Sequence, residues 1–442
     1  METKPENPAI PLNWAQRFFT VWTGQAFSLF GSTLVQFTLI WYLTKSTGSA
    51  TVLATATLLG LLPNIFFSPI AGIWIDRWNR RLVMILSDSL IALATLILII
   101  LFATGWIQVW HIYVILLIRA VGGAFHYPSL QASTSLMVPK DQLPRIAGLN
   151  HTLAGINNIV APPLGALLLG LLPMQKVLLI DIGTAALAVG ILLFTSIPQP
   201  VRKMNESGNT RKTTFWQDLG EGFTYIIHWP GLMAIILMAV SINFLLAPMN
   251  SFMPLMVTRI FNGGALQLGW SDSLFGVGVI IGGIVLTAWG GFKKRIITTL
   301  VGIMGIGVAV IIAGSAPSSL YPMFLAGFFI LGFTEVITNG PLIAILQSNV
   351  DPEKQGRVMT LMSSGASGMS PLSLLVAASV ADRLGIRVWY IGGGFLCVGM
   401  AAAALLIKPL MEIKKNCRPS PAGTEKRVSL QETENGFDGG EI

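Results

Sequence analysis

Charged residues are scarce in this sequence. Only 11% of its 442 residues are Asp, Glu, Lys or Arg, whereas hydrophobic residues make up 53%. Soluble globular proteins carry about 25% charged residues, so the composition excludes an ordinary soluble protein. Most of the chain is predicted to lie in a membrane.

Residues that carry chemistry are also few. The 4 His are dispersed, and the 2 Cys fall in an apolar run (Cys397) and in the polar C-terminal segment (Cys417), so we expect no structural disulfide. The sequence offers no nucleophile and base pair, no phosphate-binding loop and no cluster of metal ligands. We therefore expect no enzyme, no cofactor and no metal site.

Long apolar runs dominate what is present. Interruptions by Gly, Pro and charge divide them into about twelve segments, each long enough to cross a hydrocarbon core of about 30 Å as a helix. The sequence thus predicts an all-α integral membrane protein with about twelve transmembrane helices. The predicted spans are 18–43, 50–71, 82–104, 109–128, 146–171, 176–197, 231–257, 267–290, 296–314, 320–346, 356–380 and 388–409.

The basic residues predict orientation and domain boundaries. Most of the 28 Lys and Arg fall on one side of the predicted membrane, which places both termini in the cytoplasm and the protein in the cell membrane. This bias accounts for the net charge of +8 and gives no reason to expect nucleic acid as a partner. The predicted parts are a cytoplasmic segment (1–13), two six-helix halves (14–197 and 231–410), a linker with an amphipathic helix (198–230) and a disordered tail (411–442).

A short charged hinge, Gly72 to Arg81, joins the second and third spans. Glycine lets a neighbouring backbone come close, an acid is favoured at a helix N-terminus, and arginines reach water, lipid phosphate or a carboxylate. We interpret the hinge as a gate between packed helices; an ordinary basic cytoplasmic hairpin is the alternative. The predicted gating residues in it are Gly72, Asp76, Arg77, Arg80 and Arg81.

This hinge resembles the signature loop of the major facilitator superfamily. Asn79 stands where that family has its second Gly, and we expect it to adopt the left-handed turn conformation that Asn tolerates. In the fourth span, Arg119 followed by small residues resembles the second motif of the superfamily, to which a role in proton handling is attributed. An arginine that only holds backbone carbonyls is the alternative.

The fifth span carries a partial match to a further motif. Pro162 and Gly165 match the fifth-helix antiporter motif of the superfamily, while Ala161 and Ala166 replace its glycines. The resemblance implies a second gating element at Pro162 and Gly165. A plain proline kink, which is common in membrane helices, is the alternative.

Polar residues form a stripe on the first span. They recur at spacings of three and four, which places them on one helix face that must look into the bundle or into water. Ordinary hydrogen bonding between helices is the alternative reading. The stripe consists of Gln25, Ser28, Ser32 and Gln36.

The candidate ionisable residues inside predicted spans are Asp88, Arg119, Asp181 and Glu335. Charged side chains at membrane depth are costly, by about 2.5–3.5 kcal/mol on insertion scales. Glu335 is near the middle of its span, where burial disfavours the charged carboxylate, so it is a candidate proton site. For both aspartates, placement near the membrane interface is the alternative, and for Glu335 it is a structural pairing with a neighbouring helix. His126 lies seven residues after Arg119, on nearly the same face, and simple packing is its alternative.

The two halves repeat at an offset of about 218 residues. This shift takes Gln25 to Asn243 and Ser32 to Asn250, and Arg119 lies at nearly the same offset from Glu335. Duplicated six-helix halves are typical of secondary transporters, in which both halves line the binding site. We therefore add Asn243 and Asn250 to the candidate binding residues.

Three further stretches, 24–31, 351–358 and 381–385, resemble the drug exporters related to bacterial macrolide efflux proteins. The resemblance implies a monomeric, proton-coupled exporter of amphiphilic drugs that works by alternating access. Its partners would be the drug, protons and the lipid bilayer. Export of siderophores or other metabolites, uptake by symport, and a non-transporting sensor or scaffold are the alternatives.

Overall fold

Twelve long helices account for nearly all of the described chain. The computed structural model describes residues 13–75, 78–139, 141–198, 224, 226–227, 229–350 and 352–411, and this part contains no strand. All twelve helices are long and apolar enough to cross a membrane, which confirms the predicted all-α fold. The helices are α1 (Trp14–Thr47), α2 (Ala50–Ile75), α3 (Arg80–Thr104), α4 (Val109–Met137), α5 (Leu143–Leu171), α6 (Met174–Phe194), α7 (Pro230–Leu255), α8 (Ala265–Trp289), α9 (Arg295–Ser315), α10 (Tyr321–Asn349), α11 (Pro352–Leu384) and α12 (Ile386–Ala404).

Short local signals set several helix ends. A π-helical turn, Met256–Ile260, extends α7, and a last helical turn, Lys408–Met411, follows α12. Gly48 ends α1 in the left-handed conformation at φ 62°, which costs a residue without a Cβ little. The expectation for Asn79 was wrong: at φ −70° and ψ 107° it is extended, and its side chain accepts hydrogen bonds from the backbone N–H groups of Arg81 and Leu82. Asn79 therefore caps the N-terminus of α3.

The six helices before residue 198 and the six after residue 229 meet mainly along two helix pairs, α2 with α11 and α5 with α8. The predicted repeat converts one pair into the other, because it relates α2 to α8 and α5 to α11. Gly269 of α8 packs so closely on α5 that a Cβ there would lie 2.7 Å from the Pro163 Cα. The absence of a side chain thus lets the two halves touch through their backbones.

Three hydrophobic cores show where the halves join. One core contains residues of both halves, such as Leu39 and Leu53 with Phe252 and Ala381. Two further cores belong to one half each: one surrounds the start of α1 at Phe18, and the other surrounds the start of α7 at Leu232. We call the end of the bundle where α1 begins the terminal end, and the opposite end the outer end. Among the described residues, the halves share a core only toward the outer end.

Some predicted features lie outside the described residues. They include Asp76 and Arg77 of the hinge, most of the linker with its amphipathic helix, and the C-terminal tail beyond residue 411. Gly72 lies in α2, and Cys397 is buried in α12.

Candidate functional site

A cavity of about 470 Å³ lies between the two halves. Most of its lining comes from the polar face of α1 and from α4, and residues of α2, α3 and α7 complete it. The predicted stripe therefore faces the interior of the bundle. The polar lining residues are Ser28, Ser32, Gln36, Thr57, Asp88, Arg119, His126, Tyr127, Asn250 and Ser251.

The first network in this cavity is built around a buried ion pair. Arg119 of α4 and Asp181 of α6 lie 2.6 Å apart, with exposed side-chain fractions of only 7% and 1%. Thr95 of α3 donates to Asp181 at 2.7 Å, and Ser32 of α1 donates to its other carboxylate oxygen at 3.1 Å. Arg119 also donates to Thr95 and, at 3.4 Å, to the backbone oxygen of Ser32. Four helices thus meet at one neutralised pair.

The second network is built around Asp88. Gln25 and Ser28 of α1 both donate to its carboxylate at 3.3 Å, and His126 Nε2 of α4 lies 3.4 Å from Asp88 Oδ1. His126 Nε2 also lies 2.6 Å from the Gln25 side-chain oxygen. All of these residues are buried, so Asp88 is held within the bundle and does not extend to the membrane interface.

Glu335 occupies a separate and smaller cavity, of about 140 Å³, in the C-terminal half. Asn243 of α7 and Thr338 and Asn339 of α10 also line it, together with apolar residues of α7 and α9. No hydrogen bond or ion pair to Glu335 is found within the described ranges. The repeat relates Arg119 to Glu335, but the arginine is paired and the glutamate has no such partner.

The described hinge residues bind within the N-terminal half. Arg80 is 6% exposed and donates at 2.7 Å to the Ala132 carbonyl, near the C-terminus of α4. Arg81 donates at 2.5 Å to the Leu192 carbonyl and also to that of Leu193, at the C-terminus of α6. Cations are favoured at helix C-termini, so these contacts stabilise the terminal end of this half.

The predicted second gating element lies in the contact between the halves. Pro162 is buried in α5, and a Cβ at Gly165 would lie 3.0 Å from the Phe37 ring of α1. Ile159, one turn earlier, accepts a hydrogen bond at 2.7 Å from the Ser273 hydroxyl of α8. The proline-containing part of α5 therefore contacts both α1 and the other half.

Two side-chain hydrogen bonds join the halves nearer the outer end. The Thr57 and Ser251 hydroxyls lie 2.8 Å apart, between α2 and α7. Thr51 at the start of α2 donates to Asp382 at the end of α11 over 2.5 Å. The stretch 381–385 thus contributes a contact between the halves, a role its sequence alone did not indicate.

Sequence reasoning missed several residues. His126 was noticed, because it lies seven residues after Arg119 and hence on nearly the same helix face, but simple packing was preferred and it was left out of the candidate site. Thr95 carried no signal, since one Thr in an apolar span is ordinary. Asp272 interrupts the apolar run of α8 and lies nine residues before exposed Ile281, which places the aspartate on the opposite, inward face. A systematic search for acids inside spans would have found it.

Comparison with known proteins places the chain among transporters. The profile of the Major Facilitator Superfamily matches residues 21–370 and, in a second overlapping match, residues 244–432. Macrolide efflux protein A of Streptococcus pyogenes is 33% identical over 401 residues, which cover 91% of this chain and 98% of that protein. The multidrug efflux pump Tap of Mycolicibacterium fortuitum is 24% identical over 407 residues, covering 88% and 94% of the two chains.

Solved structures agree on the fold. The crystal structure of a POT family transporter in complex with 5-aminolevulinic acid superposes with a TM-score of 0.67, covering 91% of this chain and 97% of that one. The two sequences are 12% identical. At that identity the likeness concerns the arrangement of helices and carries no information about the substrate.

Proposed function

We propose a drug-export function from the premise that this chain belongs to the major facilitator superfamily. It is a multi-pass membrane protein similar to macrolide efflux proteins. The finer proposal is proton-coupled export of amphiphilic drugs, macrolide-like in chemistry, across the cell membrane. Residues of both six-helix halves line the main cavity, and we propose that the transporter works as a monomer.

The proposed mechanism is alternating access, in which the two halves rock about the cavity. Its support is the distribution of the hydrophobic cores, one shared toward the outer end and one for each half at the terminal end. With the terminal end assigned to the cytoplasm by the positive-inside rule, this arrangement corresponds to a state that admits substrate from the cytoplasm. Separation of Thr51 from Asp382 would then accompany opening toward the outside.

One observation carries the proposal: buried ionisable residues line a cavity enclosed by both halves of a membrane bundle. Because membrane burial of charge is costly, such residues mark substrate or proton pathways. Asp181 and Asp88 already have partners, so Glu335 is the residue we assign to coupling. A proton and a substrate cation would each neutralise its carboxylate, and competition between them would link the two flows.

The test is accumulation of a radiolabelled macrolide in cells that express the protein, with and without an uncoupler that collapses the proton gradient. We expect lower accumulation than in control cells, and we expect the uncoupler to abolish the difference. Glu335→Gln should abolish proton-driven export. Asp141→Asn, which neutralises an exposed aspartate in the connection between α4 and α5, is the matched control and should export normally.

Unchanged accumulation with the wild-type protein would contradict macrolide export and redirect the search to siderophores and other amphiphiles. Higher accumulation would indicate uptake by symport. Normal export by Glu335→Gln would contradict the coupling role alone. A sensor or scaffold without flux should tolerate Glu335→Gln. A neutral replacement of Arg119 does not discriminate, because it would leave the buried Asp181 without its partner whatever the function.

A further inference from the structure

A second large cavity, of about 400 Å³, lies between α1, α4 and α5. Leu29 and Tyr127 line both this cavity and the main one, so the two are neighbours across these side chains. Its volume is in the range that holds drug-sized ligands, about 300–1,000 Å³. We call it the side cavity.

The lining of the side cavity is aromatic and polar but carries no charge. Trp22, Phe30 and Tyr127 provide flat apolar surface, and the polar groups are mainly side-chain amides. A charged group without a partner would be costly in such a place, whereas a neutral polar group with matching hydrogen bonds would not. The lining therefore selects uncharged ligands.

The amide orientations are determined by their partners. Thr33 donates its hydroxyl to the Leu29 carbonyl at 2.9 Å, so it can only accept from the Asn157 amide nitrogen, which lies 2.7 Å away. The Asn157 oxygen is then left buried without a hydrogen bond among the described residues. A buried acceptor that lacks a partner costs about 1–3 kcal/mol, and a ligand donor would remove that cost.

Two other amides leave a free group in the same way. The Trp22 ring N–H can only donate, and the Asn150 oxygen accepts from it at 2.7 Å, which leaves the Asn150 amide nitrogen as a donor. Gln131 forms one hydrogen bond with the Tyr127 hydroxyl, at 2.9 Å, so one polar group of its amide remains available to a ligand. The cavity thus offers both donors and acceptors. A hydroxyl group, which donates and accepts, satisfies such a set.

We propose that the side cavity binds the neutral, hydroxyl-bearing part of the exported drug, as in an uncharged glycosidic or polyhydroxylated ring. The proposal rests on the proposed export function and assigns this recognition to the N-terminal half. The remaining part of the same drug then lies in the main cavity, across Tyr127. The side cavity has no charged residue in its lining, whereas the main cavity has Asp88 and Arg119. Two adjoining cavities that differ in this way can hold different parts of one amphiphile.

The test is equilibrium binding of a tritiated macrolide to the purified full-length protein in lipid nanodiscs. Asn157→Leu, which removes the buried acceptor, should weaken binding about five- to tenfold, the effect of losing one hydrogen bond. Asn158→Leu is the matched control, because it makes the same substitution one residue later, at an exposed side chain that lines neither cavity. It should bind as the wild type does.

A second probe separates recognition from damage to the bundle. Tetraphenylphosphonium is an apolar cation without hydroxyl groups, so Asn157→Leu should leave its binding unchanged. Equal weakening for both probes would overturn the assignment of Asn157 to hydroxyl recognition. Unchanged macrolide binding by Asn157→Leu would overturn it as well.

Gln131→Leu decides the question if Asn157→Leu does not fold. Its side chain is exposed on the cavity wall, and its one hydrogen bond within the described chain is to Tyr127. It should weaken macrolide binding about threefold, since an exposed hydrogen bond contributes at the low end of the usual range. If the wild type bound no macrolide, the export proposal and this inference would fail together. If it bound macrolide and both variants bound equally well, only this inference would fail.

Discussion

The helices within the N-terminal half and the helices within the C-terminal half are held together by different kinds of contact. In the N-terminal half, helices α1, α3, α4 and α6 meet at buried polar networks around Asp88 and Asp181. In the C-terminal half, helices α8, α9, α10 and α12 meet at glycines whose added Cβ would collide with a neighbouring backbone. These include Gly278, Gly302, Gly307, Gly327, Gly332 and Gly394.

This difference means that the C-terminal half can change its charge without losing its packing. Hydrogen-bonded charges fix a geometry but depend on protonation, whereas backbone contacts at small residues depend on shape alone. The C-terminal half is tightly packed and contains Glu335 without a partner in the described chain. A residue that must gain and lose a proton is well placed in a scaffold whose packing does not depend on its charge.

The largest effect on stability should come from Asp181→Asn in the N-terminal half. This change leaves Arg119 buried without its counter-ion, and removing one partner of a buried pair costs about 3–5 kcal/mol. We expect a large drop in the thermal unfolding midpoint of the purified protein. The double variant Arg119→Gln with Asp181→Asn should recover much of the loss, because no lone charge remains. A single variant as stable as wild type would mean that the pair does not hold this half.

The next effect should come from Gly278→Ala in α8. The new methyl group would overlap the Phe329 carbonyl of α10, and overpacking of this kind costs about 1–3 kcal/mol. Gly283→Ala in the same helix is the control, since its Cβ would meet no atom within 4 Å. That control should be neutral or stabilising by up to about 1 kcal/mol, because alanine is the better helix former. Equal unfolding midpoints for the two variants would refute close packing as the basis of this half.

Sequence reasoning was strongest where one physical rule decides the outcome. Twelve apolar runs gave twelve helices, with the first predicted span, 18–43, shorter than the observed helix Trp14–Thr47 by four residues at each end. Hydrophobicity sets only the length that must cross lipid, while the helix continues beyond it into the polar ends. The inward face of Gln25, Ser28 and Ser32 followed from the helical period.

Partners could not be predicted in the same way. The period of a helix says which face Asp181 occupies, but its pairing with Arg119, 62 residues earlier, depends on how α4 and α6 pack. The prediction for Asn79 was wrong for a local reason, because Asn suits both a left-handed turn and a helix N-cap. Only the start of α3 one residue later selects the cap. The free oxygen of Asn157 likewise depends on Thr33 of another helix.

A smaller effect is expected at the contact between the halves. Asp382→Asn weakens the hydrogen bond from Thr51, an exposed interaction that contributes about 0.5–1.5 kcal/mol. Hydrogen exchange in the outer segments around residues 47–51 and 382–386 should accelerate roughly two- to tenfold, as that free energy implies. Arg383→Gln changes the charge of the next residue, which is exposed, and should leave exchange unchanged. Identical exchange in both variants would mean that the contact between Thr51 and Asp382 does not hold the halves together.

The smallest effect on stability is expected from Glu335→Gln, which tests whether the C-terminal half depends on a fixed charge. The substitution keeps the size of the side chain and removes a carboxylate that has no ion pair among the described residues, so no partner is left uncompensated. The unfolding midpoint should equal or exceed that of the wild type, while proton-driven export is lost. Asp181→Asn is the matched neutralisation in the other half and should lose both stability and export. A fall in midpoint for Glu335→Gln as large as that for Asp181→Asn would mean that both halves depend on fixed charges, and Glu335 would then be a structural residue that cannot serve as the coupling site.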